Sequence, residues 1–153
     1  MRKVLLCITA ILIAVSSYAA DIDTFYKDFA NQPGAEGYKV GKFLLAMAKP
    51  LNKSLRGLDL IEMVDLGNCS SAVEQQFKKQ VQQIVTTKYT KAVSESSDGS
   101  EVSVYMVVKD ETIREILVVT QGEESGFVYM KGKLKPEDLQ EMQNMDKMDK
   151  QAQ

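Results

Sequence analysis

Histidine is absent from the 153 residues, and that closes most of the familiar chemistry at once. Histidine is the commonest general base near neutral pH and the commonest metal ligand, so ordinary serine and cysteine triads cannot be assembled. Cys69 is the best placed nucleophile, just ahead of a helix starting at Ser71, where a helix N-terminus lowers a thiol's pKa. No neighbour could serve as its base, and Asp65 opposes ionisation; a small, partly buried core residue is the competing role. Carboxylates are plentiful but scattered: Asp21 and Asp23, Asp110 and Glu111, and Glu123 and Glu124 read as solvated turn or terminal residues without calcium-loop spacing. Met142, Met145 and Met148, three apart, could gather thioethers suited to Cu(I). The plainer role has Met142 packing on Leu139 while the other two dot a solvated end. No phosphate-binding loop or dinucleotide fingerprint occurs. The expectation is therefore no catalytic residue, no cofactor and no metal site, with the Met-rich tail as the alternative.

The start of the chain carries an address. Arg2 and Lys3 precede an apolar run from Val4 to Val15, and Ser16 to Ala20 are mostly small, the order of a secretory signal peptide. The run is too short to cross a bilayer core of ~30 Å as a permanent helix. Cleavage after Ala19 puts Ser17 and Ala19 in the small-residue positions, so the mature chain is expected to begin at Ala20; an uncleaved anchor is the alternative. Cys7 leaves with the signal, and Cys69 then has no intrachain disulfide partner. Loss of Arg2 and Lys3 moves the formal charge from −2 to −4, a poor footing for nucleic acid. The expected organisation is a signal peptide over 1–19, one α+β domain over 20–143 and a disordered polar tail over 144–153. The expected location is the periplasm or envelope of a Gram-negative bacterium, with no membrane span after cleavage.

Within the domain, Ile22, Phe25, Tyr26 and Phe29 recur at helical spacing between Asp21 and Asn31, and Gln32-Pro33-Gly34 stops the helix. Tyr38 to Val40 reads as a brief strand, Lys42 to Ala48 as a helical turn or two, and Leu58 to Leu66 as a strand. The clearest helix is Ser71 to Thr86, with capping-box spacing between Ser71 and Glu74 and an apolar stripe of Val73, Phe77, Val81, Ile84 and Val85. The period then changes to two. Strands over 89–95, 101–109, 112–120 and 127–133 are separated by polar turns, with Asp98-Gly99 a strong hairpin signal. Pro136, Glu137 and Asp138 open a last helix.

These elements imply an α+β two-layer sandwich: a mixed, mostly antiparallel sheet ending in a four-strand meander, with helices mainly on one face. The strands flanking the long helix are expected to pair in parallel across it. Strand alternation puts Val102, Val104, Met106 and Val108 toward the helices and Tyr105, Phe127 and Tyr129 on the other face. If that face is open, the three aromatics form a patch for a partner. If a terminal helix covers it, they are second-layer core.

The order of short helix, Glu36-Gly37 leading into Lys42 to Met47, Gly57-Leu58-Asp59 before a strand, long capped helix, and meander ending in Gly132 to Leu139 with its Glu137-Asp138 step resembles domain-of-unknown-function family 4252, small exported proteins of Bacteroidetes. The resemblance spans roughly Phe25 to Met142, and Gly37 to Lys42 is shorter than the extended stretch usual there. It implies compartment and fold and brings no catalytic residues. Taken together, the expected function is non-catalytic binding of an envelope protein or a small ligand.

Overall fold

Asp21 caps the first helix, its side chain accepting from Thr24 N–H at 2.8 Å, and supplies a partner for one of the orphaned donors of the first turn. A computed structural model describes residues 21–52 and 55–140. In it α1 covers Ile22–Ala30, β1 Glu36–Val40, α2 Lys42–Ala48, β2 Leu58–Asp65 and α3 Ser71–Lys88. The meander follows as β3 Thr90–Ser97, β4 Ser100–Lys109, β5 Thr112–Gly122 and β6 Gly126–Leu134, and residues 136–140 are again helical. The cap of α3 falls one residue earlier than its capping-box spacing suggests: Ser70, rather than Ser71, accepts from Val73 N–H.

The six strands lie in the order β1-β2-β6-β5-β4-β3, and every neighbouring pair is antiparallel. The sandwich expected from the sequence is present, but the parallel pair across α3 is not. Successive antiparallel pairings make β2 and β3 run in the same direction, as a crossover through α3 demands. Three strands of the meander nevertheless fill the space between them. Tight hairpins close with little loop entropy, so the four meander strands stay in chain order, and the meander docks on β2 through β6, which leaves β3 at the far edge.

Turn chemistry sets the register. Asp98 and Gly99 both have positive φ, the backbone of a two-residue hairpin turn whose twist matches the strands it joins. Asp110 and Glu111 adopt the same handedness without a glycine. Gly132 lies against the Gly57 carbonyl, where any Cβ would overlap it.

Four of the five phenylalanines fill the layer between α1, α3 and the sheet. Phe25, Phe29, Phe77 and Phe127 contact one another with ring centroids 4.8–6.2 Å apart. Pairs at such distances add about 0.5–1.5 kcal/mol each beyond the area they bury. A second cluster, Leu45, Leu58, Ile113, Ile116 and Leu134, lies on the opposite sheet face under α2.

Candidate interaction surface

Register fixes which residues share a face. One row runs Glu62–Tyr129–Leu117–Tyr105 across β2, β6, β5 and β4, and the row beside it runs Val64–Phe127–Val119–Ser103. All eight are buried, under α1 and α3. Tyr105, Phe127 and Tyr129 therefore point toward the helices, and the aromatic patch expected on an open face is core. The reason is volume: Phe25, Phe29 and Phe77 leave a deep layer that large rings fill and valines would not.

Two carboxylates that are not among the sequence candidates sit in this layer, Glu62 and Glu115. Glu115 accepts from Lys88 Nζ and Tyr89 Oη, each at 2.7 Å, and from the Tyr129 hydroxyl. Burial alone would raise its pKa, but Lys88, Tyr89 and Tyr129 together hold it below the usual carboxylate range. Burial, with Glu115 beside them, pushes both phenols well above theirs. Glu62 is 1% exposed; Lys39 Nζ lies 2.7 Å from its Oε1, outside hydrogen-bonding direction, and neither oxygen has a hydrogen-bond donor. Lys39 also reaches Asp23 at 3.3 Å, and its ammonium is held above its usual range, chiefly by Glu62. A charge in the middle of an apolar strand (Leu58–Asp65, Thr112–Gly122) was the signal available for both.

The opposite face differs. Its central row, Tyr38–Met63–Val128–Val118–Val104–Val93, takes one residue from each of the six strands. Every member is apolar, and Tyr38, Met63 and Val93 are exposed while the other three are half-buried. α2 and Leu139 cover one end of this face, through the Leu45 cluster. The other end holds a shallow depression of about 190 Å³ lined by Met63, Asp65, Val118, Thr120, Glu124 and Val128, among others. Its rim is acidic: Asp65 and Glu124 line it, and Glu36 is directly paired with Asp65 across β1 and β2. None of the three makes an ion pair among the described residues. Like charges directly opposite each other on a sheet are destabilising.

α2 adds to the apolar surface. Phe43, the fifth phenylalanine, is 77% exposed, Leu51 is 90% exposed, and Leu44 and Met47 lie between them on the outward side. The helix has seven residues, and its N-cap, Gly41, makes no side-chain bond. So short a helix is marginal alone and is held here by Leu45 packing.

The other sequence candidates are quickly placed. Cys69 is free and half-buried; burial, then Asp65 and Glu74, push its thiol up, which makes it a poor nucleophile. Asp110, Glu111, Glu123 and Glu124 sit in turns, and no group of three potential metal ligands occurs among the described residues. Ala19, Ala20, Met142, Met145 and Met148 lie outside the described residues. Among the described residues no helix is long and apolar enough to cross a membrane. No match to the chain was found among curated proteins or among solved structures. A family model described as a domain of unknown function, DUF4252, matches residues 26–142, and the chain belongs to that family.

Proposed function

We propose that the protein is an exported, non-catalytic binding domain of a Gram-negative cell envelope, and that it binds a protein through the second face of its sheet. The observation that carries this reading is the six-strand row Tyr38–Met63–Val128–Val118–Val104–Val93, apolar throughout and open at the Met63 end. Contiguous apolar surface of this kind is costly to leave in water and marks interaction sites. The depression on it holds about 190 Å³, below the 300–1,000 Å³ common for small-molecule pockets, so it suits one large side chain of a protein partner.

Export is supported by Arg2, Lys3, the Val4–Val15 run and the small residues ending at Ala19 and Ala20, and the resemblance to small exported Bacteroidetes proteins points the same way. A binding rather than catalytic role is supported by the lack of histidine, by the raised thiol of Cys69, and by lysine pairing of both buried carboxylates.

A fluorescent naphthalene-sulfonate probe for exposed apolar surface tests the surface. At dilutions where single copies prevail the native protein should bind it, and Met63→Lys should lower that binding while leaving the far-ultraviolet circular dichroism unchanged. Equal probe binding by the variant would remove the second face from consideration. Export is checked separately, by intact mass of the processed chain: the expected mass lacks residues 1–19.

A further inference from the structure

We infer that the occupant of the second face is a second copy of this chain, with each copy laying α2 over the open end of the other's sheet. The inference rests on the binding-surface reading above and names its partner. Three features point to self-pairing. The molecule carries both an apolar ridge and an apolar bed: Phe43, Leu44, Met47 and Leu51 project from α2, and Met63, Val118 and Val128 floor the depression. Ridge and bed lie at opposite ends of one face, since α2 packs on Leu58, Ile113 and Leu134 at the far end from Asp65 and Gly126. A two-fold axis running across the strands, in the plane between two facing sheets, brings ridge over bed twice. That is the self-complementary arrangement of a closed dimer.

Charge follows the same pattern. Lys42 and Lys49, seven residues apart, share one flank of α2, and neither has an ion-pair partner among the described residues. Asp65 and Glu124 line the bed, and Glu36 is paired with Asp65 at its edge. In the paired arrangement the lysines of one copy meet the carboxylates of the other, which relieves the repulsion between Glu36 and Asp65. The marginal length of α2 gains a reason as well, because its outward side becomes buried.

Sedimentation velocity across a dilution series, on protein purified from cells expressing the full chain, tests the inference. Wild type should sediment as a dimer that dissociates on dilution. Phe43→Glu and Met63→Lys should each weaken the dimer by at least tenfold, the scale of a central interface residue. The double reversal Lys42→Glu, Lys49→Glu should weaken it too, and Asp65→Lys with Glu124→Lys in the same chain should restore it. Restoration by the second pair of reversals cannot come from a general loss of folding. A monomer up to about 100 µM, where even a weak dimer is populated, would overturn the self-pairing. A monomer that still binds the apolar probe through Met63 would leave the surface to a different protein. A monomer that does not bind the probe would end both readings.

Discussion

Serine at position 129 and serine at position 63 should behave oppositely, although both sit on strands and both replace large side chains. Tyr129 is 1% exposed and sits between Glu62 and Leu117 under the helices, with its hydroxyl on Glu115. A tyrosine of this kind buries about 200 Å², worth ~5 kcal/mol at 25 cal/mol per Å². Residual compactness of the unfolded chain trims that to about 3–4 kcal/mol. Loss of the hydroxyl's bond to Glu115 adds roughly 1 kcal/mol. Against a typical domain stability of 5–15 kcal/mol, Tyr129→Ser should lower the melting temperature by roughly 15 °C or leave the chain largely unfolded. Met63, on the opposite face and already exposed, should cost less than about 1 kcal/mol when changed to serine. Urea unfolding followed by circular dichroism reads both. Equal midpoints for the two variants, or a lower one for Met63→Ser, would mean that the faces are assigned the wrong way round.

Three further outcomes follow from the same geometry. Lys39→Met should destabilise by about 2–4 kcal/mol in chemical denaturation, because it strands the Glu62 carboxylate, whereas Glu62→Met should be neutral or stabilising; the reverse order would refute the account of this pair. Glu115 is held below its usual value near 4.5, so its contribution is present above that pH and disappears as pH falls through the folded value; Glu115→Gln should flatten the acid limb of a stability-versus-pH curve, and an unchanged limb would contradict this. Glu111→Gly should raise stability by about 0.5–1 kcal/mol, since glycine takes the positive φ of the Asp110-Glu111 turn without strain; a lowered melting temperature would speak against it.

Elements were more legible in the sequence than their orientation. Periodicity located α1, α3 and the four meander strands because each side of those elements meets a different medium, and turn pairs such as Asp98-Gly99 require one backbone handedness. Strand alternation divides residues into two faces but does not say which face the helices choose. Val102, Val104, Met106 and Val108 looked like the core side because they are uniformly apolar, yet the core layer took Ser103 and Tyr105 to match the rings of Phe25, Phe29 and Phe77. Strand order was equally hidden, as nothing local to β2 or β3 records that β6, β5 and β4 lie between them. The burial of Glu62 and Glu115 is not legible in the sequence because their lysine partners come from β1 and the end of α3, 23 and 27 residues away in the chain. The missing histidine lay in the open, being a property of composition rather than of packing.

The central claim, that the Met63 face is the working surface, is tested most directly by a photo-crosslinking amino acid placed at position 63 and, as a control, at the exposed Lys79 on α3, in cells expressing the full chain. A discrete adduct is expected from position 63, at twice the chain mass if the second copy is the occupant, and none from position 79. An adduct from position 79 with none from position 63 would contradict it.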